Sequence, residues 1–174
     1  DVITPPAMLG VLGGGQLGRY FVLAARTMGY RPPVLEPDPG SPAGAVADVH
    51  LVAAYDDPAA LEQLAATCAV VTTEFENAPA EAMAQLAARI PVRPSPAALA
   101  TTQDRIAEKA FLTEIGLPVG PYTVIETDAD IASALGFSFP AVLKTARMGY
   151  DGKGQAVCAT HSELDGAWHE LGGV

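Results

Sequence analysis

Three features of the sequence predict an α/β chain built on a doubly wound, mostly parallel sheet, followed by a smaller α+β region. Short apolar runs alternate with helix-spaced segments through the first 93 residues. A glycine-rich turn follows the first of those runs, and a Pro-rich shift in composition at 91–96 separates this part from the rest. Regular β–α alternation of this kind gives parallel strands with helices on both faces.

The run 8–13 (MLGVLG) reads as the first strand. Gly13 to Gly18 fits G-x-G-x-x-G, and Leu17, Phe21, Ala24, Ala25 and Met28 then recur at helical spacing up to a stop at Gly29. A second strand covers Val34 and Leu35 and ends at Glu36, which completes a βαβ unit. The segment 38–48 is rich in Pro, Gly and small residues and is expected to be a loop. A third strand is expected over 49–53, then a helix with Asp57 as cap and Pro58 in its first position. Strands at 69–73 and 90–92 flank a third helix at 79–89. The domain boundary is set at 96, giving 1–96 and 97–174.

In the second part Thr102 is expected to cap a helix running to about 115, with Gly116 as its stop. A strand at 122–125, a short helix at 128–135 and a strand at 141–145 follow. Gly149, Gly152 and Gly154, with Asp151 and Lys153 between them, form the turn of a hairpin spanning 141–159. Ser162 is expected to cap a last helix at 162–171, with Leu164, Trp168 and Leu171 as its apolar stripe. One hairpin and a few helices are little for a closed core, which favours a piece of a longer polypeptide.

A net charge of −10 argues against non-specific nucleic-acid binding and against an anionic membrane surface. Arg105, Lys109, Lys144, Arg147 and Lys153, half of the Lys and Arg, all lie in the last 70 residues, as an anionic small ligand requires. Cys68 and Cys158 lack metal-type spacing and read as reduced core thiols of a cytoplasmic protein. There is no run of 18 apolar residues, and the first residues have no signal-peptide pattern.

Three places carry candidate chemistry. The glycine turn 13–18, with Glu36 or Asp38 some 20 residues on, fits a dinucleotide, fits another polar ligand held by Gln16 and Leu17, or serves only helix–strand packing. Thr73 to Asn77 (TEFEN) places Glu74, Glu76 and an amide at the carboxyl end of a parallel strand, where ligands of open α/β sheets bind. If that strand persists, Glu74 and Glu76 face the same way and suit ribose hydroxyls or an amine. The hairpin turn, with Arg105 and Lys109 at i and i+4 on a helix, reads as a phosphate lid or as solvated surface. His50, His161 and His169 are isolated and read as structural.

Taken in order, G-G-G-Q-L-G-R, E-P-D, T-E-F-E-N, R-P-S-P, Q-D-R-x-x-E-K and K-T-x-R-x-G-Y-D-G-K-G-Q resemble the N5-carboxyaminoimidazole ribonucleotide synthetase family of ATP-grasp ligases, from about residue 8 to 174. The resemblance implies a pre-ATP-grasp sheet that binds no dinucleotide, an α+β subdomain with an ATP flap, and a further domain carrying the Mg2+ ligands. It implies ATP-dependent carboxylation of aminoimidazole ribonucleotide by bicarbonate. Arg105 and Lys144 resemble the ATP-phosphate and catalytic contacts. Gly149, Tyr150, Asp151, Gly152, Lys153, Gly154 and Gln155 resemble the nucleotide flap. Gln16, Leu17, Glu76 and Tyr150 resemble the residues that hold the ribonucleotide. A homodimer is expected at full length. Met148 stands where the family often has glycine and is expected to stiffen the flap. The resemblance covers under half of the family's usual length, so the 174 residues alone are expected to lack the metal site and not to turn over.

Overall fold

A computed structural model of the chain describes residues 2–149 and 152–172. It divides into two compact units between Ala100 and Thr101.

The first unit runs β1 (Leu9–Leu12), α1 (Gln16–Thr27), β2 (Pro33–Leu35), a 3-10 turn (Gly44–Val46), β3 (Val49–Leu51), α2 (Pro58–Thr67), β4 (Val70–Thr73), α3 (Ala80–Ala87) and β5 (Val92–Arg93), and the boundary between the units falls within α4 (Pro96–Thr102). The strands form one sheet in the order β3-β2-β1-β4-β5, with every neighbouring pair parallel. The alternation of side chains explains how both faces are filled. Val11 and Val34 pack with Val22 of α1 on one face. Leu12 and Leu35 point the other way, into a core with Leu61 and Leu64 of α2 and Met83 and Leu86 of α3. Parallel strands need this double cover, so the doubly wound expectation is met.

Local signals set several ends as expected. The Asp57 carboxylate accepts the Ala60 N–H at 2.8 Å, and Pro58 follows at the first helical position. Gly29 lies just past α1. The loop 38–48 differs from expectation by its 3-10 turn, where Ala47 N–H bonds to Gly44 O at 3.3 Å.

The second unit contains α5 (Arg105–Glu114), α6 (Asp128–Ile131), a 3-10 turn (Ala132–Gly136), β6 (Ala141–Lys144), β7 (Gln155–Cys158) and α7 (His161–Glu170). The two strands pair antiparallel, with Val142 opposite Val157 and Lys144 opposite Gln155. Ala134, Cys158, Leu164 and Ala167 form a small buried core, with Leu143 and Ala156 packed against it. Trp168 is buried as its stripe predicts, and its indole N–H donates to Asp128 at 2.7 Å.

Four expectations here need correction. The helix expected at 102–115 begins only at Arg105, and Thr102 instead ends α4, the helix before it. Asp104, not Thr102, caps α5, because its carboxylate accepts the N–H groups of Ile106 and Ala107. The segment 122–125 is not a strand, since the only ladder among the described residues of this unit joins β6 to β7. The helix at 128–135 stays α-helical only to Ile131 before tightening into the 3-10 turn. The last helix is capped by Thr160, whose hydroxyl accepts the Glu163 N–H at 3.3 Å, rather than by Ser162.

Candidate functional site

In the first unit the site is built where β1 and β4 end. Gly13 has φ +110°, a conformation open to glycine at little cost, and a side chain there would strike the Glu74 carboxylate and lie 2.7 Å from the Phe75 nitrogen. The glycine turn is therefore pressed against the TEFEN segment. Glu74 N–H bonds to Leu12 O at 2.8 Å, and the Thr73 hydroxyl donor lies 3.1 Å from that same oxygen.

Beyond Thr73 the chain leaves the ladder, so the expected strand continuation through Glu76 does not occur. The two glutamates consequently have different surroundings. The Glu74 carboxylate lies against Gly13 and Gly15, whereas Glu76 is exposed. Gln16 and Leu17 open α1 and are exposed, Leu17 by 70%. Beside them is a groove of about 470 Å³ lined by Leu17, Phe21, Thr72, Thr73 and Glu74.

The acid at the end of β2 does something different from what a dinucleotide would need. Glu36 accepts the Gly14 N–H at 2.7 Å and the Tyr55 hydroxyl at 2.6 Å through Oε2, and the Asp38 N–H at 3.1 Å through Oε1. Dinucleotide folds direct turn amides at pyrophosphate and the acid at a ribose. Here the amide and the acid satisfy each other. Asp38 is likewise engaged, accepting the Gly40 N–H at 2.8 Å. Tyr55 also stacks on Phe75, with ring centroids 5.3 Å apart. Burial, then the Glu36 carboxylate, holds the Tyr55 phenol well above its ordinary pKa.

In the second unit the N-terminus of α5 grips the base of the hairpin turn. Arg105 N–H bonds to Ala146 O at 2.9 Å, and its guanidinium donates to Gly149 O at 3.1 Å. Asp104 pairs with Arg147 at 3.1 Å while capping the helix. The Ala107 N–H holds the Asp104 carboxyl below the usual carboxylate range, aided by the Ile106 N–H and Arg147 and opposed by partial burial. The turn closes through Thr145 N–H to Gly154 O at 2.8 Å. Gly154, at φ +66°, passes so close to Thr145 Oγ1 that a Cβ would lie 2.5 Å from it.

Val142 and Lys144 alternate outward from the core along β6, and Val157, opposite Val142, is 73% exposed. A cavity of about 440 Å³ is lined by Arg105, Lys109 and Lys144 together with Tyr122, Val142 and Trp168. The structure thus brings three of the predicted cations to one place, with Lys109 5.6 Å from the Tyr122 ring centroid. Gly152, Lys153, Gly154 and Gln155 complete the hairpin, whereas Tyr150 and Asp151 lie outside the described residues. Met148 has φ +59°, in the left-handed region that glycine adopts without strain.

Sequence reasoning missed Tyr55 and the role of Asp104. Asp104 had a signal, an Asp one residue before a basic, helix-spaced segment. Tyr55 had none, being 19 residues from Glu36 and tied to it only by the fold.

Two family models match this chain, the ribonucleotide synthetase preATP-grasp domain over residues 7–103 and the ATP-grasp domain over residues 110–174. The N5-carboxyaminoimidazole ribonucleotide synthase of Brucella melitensis is 46% identical over 162 residues, covering 92% of this chain and 45% of the relative. That of Pseudomonas aeruginosa is 41% identical, covering 95% and 46%. Among solved structures, N5-carboxyaminoimidazole synthetase from Staphylococcus aureus complexed with ADP superposes with a TM-score of 0.92 at 35% identity, covering 97% of this chain and 46% of that one. The Aspergillus clavatus N5-carboxyaminoimidazole synthase in complex with ADP and 5-aminoimidazole ribonucleotide gives 0.82 at 30% identity, covering 95% and 44%. The chain spans somewhat under half the length of the relatives it matches.

Proposed function

The chain belongs to the ribonucleotide synthetase pre-ATP-grasp family, and on that premise we propose that it serves the ATP-dependent carboxylation of 5-aminoimidazole ribonucleotide by bicarbonate, in a cytoplasmic enzyme of purine biosynthesis. The observation that carries the reading is the convergence of Arg105, Lys109 and Lys144 on one cavity beside a glycine-rich hairpin. Those cations suit a triphosphate, and the exposed Val142 and Val157 offer apolar surface to a base. The relatives complexed with ADP support the same ligand class.

In this reading a bicarbonate oxygen attacks the γ-phosphorus and ADP leaves, giving carboxyphosphate. The exocyclic amine of the ribonucleotide then takes the carboxyl unit and phosphate departs. Lys144 and Arg105 offset the negative charge that spreads over the phosphoryl oxygens during the first step. Closing the hairpin 141–159, with Gly149 to Gln155 as its flap, keeps water from the carboxyphosphate. Gln16, Leu17 and Glu76 hold the ribonucleotide, Glu76 by accepting from ribose hydroxyls. Mg2+ is expected with ATP. Among the described residues no three His, Cys, Asp or Glu side chains group as metal ligands, so no step is assigned to a metal here. A homodimer is the expected full-length assembly.

Calorimetric titration of the chain tests the ligand assignment. Saturable binding of 5-aminoimidazole ribonucleotide with none of NADH is expected. NADH binding that is lost in Glu36→Ala would instead establish a dinucleotide site.

A further inference from the structure

We propose that Tyr55 is a positioning residue that locks the glycine turn to the TEFEN segment and so sets the affinity for the ribonucleotide, an inference that rests on the function proposed above. The two substrate-holding segments come from different parts of the chain, residues 13–18 and 73–77. Each follows its own strand, and they meet where Glu74 lies against Gly13 and Gly15. Tyr55 contributes to both sides of that junction. Its hydroxyl donates at 2.6 Å to the Glu36 oxygen that also accepts the Gly14 N–H at 2.7 Å. Its ring stacks at 5.3 Å on Phe75, which sits between Glu74 and Glu76. One side chain therefore fixes the turn that presents Gln16 and Leu17 and the segment that presents Glu76.

The chemistry of the hydroxyl suits a fixed role. A phenol hydrogen-bonded to an ionised carboxylate makes a stronger, shorter bond than one between neutral groups. Tyr55 itself is half-buried, and burial together with the Glu36 charge keeps its proton in place across the working pH range. It has no part in the proposed phosphoryl or carboxyl transfers. The same network takes the turn amide and the acid that a dinucleotide would use, so it favours a mononucleotide ligand held by the start of α1 and the TEFEN segment.

The test compares the full chain with Tyr55→Phe, which keeps the ring, and Phe75→Leu, which keeps the hydroxyl bond. Affinity for 5-aminoimidazole ribonucleotide is measured by calorimetry, and amide hydrogen exchange is followed at Gly14 and across 74–77. Tyr55→Phe is expected to bind the ribonucleotide about tenfold more weakly, the scale of one charge-assisted hydrogen bond, and Phe75→Leu about fivefold more weakly, the scale of one lost aromatic pair. Exchange should quicken at both segments while that of Val71 in β4 and Leu86 in α3, in the core of the same unit, stays unchanged, which verifies that the fold is retained. In an enzyme of the relatives' full length built on this sequence, KM for the ribonucleotide should rise by the same factor with KM for ATP unchanged. Parent-like ribonucleotide affinity in Tyr55→Phe, or equal losses for ribonucleotide and ATP, would overturn the inference while leaving the function intact. Absence of ribonucleotide binding by the parent chain would overturn both.

Discussion

At the scale of single residues, Glu36 shows how one carboxylate decides between two readings of the same motif. G-x-G-x-x-G followed by an acid is a dinucleotide signature only if both remain available to a ligand. Here the acid is bound to the turn and to Tyr55. Replacing Glu36 by Ala leaves the Gly14 amide and the phenol without their acceptor, at a cost of about 1–3 kcal/mol. Urea denaturation should show that loss, whereas an acid kept only for a ligand would leave stability unchanged. The sequence placed Glu36 at the right distance from the turn. It could not reveal Tyr55, because a contact across 19 residues between a loop and a strand end leaves no periodic trace. Lys144 makes a parallel case for catalysis. It is exposed on β6 and lines the cavity with Arg105 and Lys109. Lys144→Met should lower ADP formation in the full-length enzyme by about 100-fold, the usual scale for losing one transition-state charge partner.

At the scale of elements, the hairpin and the start of α5 form one mechanical piece. Asp104 caps α5 and holds Arg147, while Arg105 holds Ala146 and Gly149. Asp104→Ala should cost about 1 kcal/mol as a lost cap and loosen the flap, seen as faster exchange of the Thr145 amide. The carboxyl of Asp104 is depressed in the folded state, first by the Ala107 N–H. Its stabilisation is therefore complete above the unfolded value of about 3.9 and is lost as pH falls below it through the folded value. Acid titration of the parent should show that loss and Asp104→Asn should not. Met148, at φ +59°, carries backbone strain that glycine removes. Met148→Gly should raise the stability of the second unit by up to about 1 kcal/mol in denaturant unfolding. The hairpin itself was legible from two apolar runs around a glycine-rich turn. The misplaced caps at Thr102 and Ser162 were not, since Asp104 and Thr160 lie within two residues of them and only geometry chooses.

At the scale of the whole molecule, alternation of short apolar runs with helical segments was enough to give five parallel strands with a helical layer on each face. The second unit was harder to read because its core is small and its sheet has two strands among the described residues. A strand at 122–125 could only be inferred from composition, and composition does not supply a partner to pair with. Charge also distributes at this scale. A chain of net charge −10 gathers half of its Lys and Arg within residues 105–153, and three of them line the second unit's cavity. That contrast draws an anionic ligand to one place while the rest of the surface repels it. The central claim is tested most directly by ADP release from an enzyme of the relatives' full length built on this sequence, supplied with ATP and 5-aminoimidazole ribonucleotide and with either bicarbonate or formate. ADP release that needs both the ribonucleotide and bicarbonate is the predicted result. Release supported by formate in place of bicarbonate, or independent of the ribonucleotide, would contradict it.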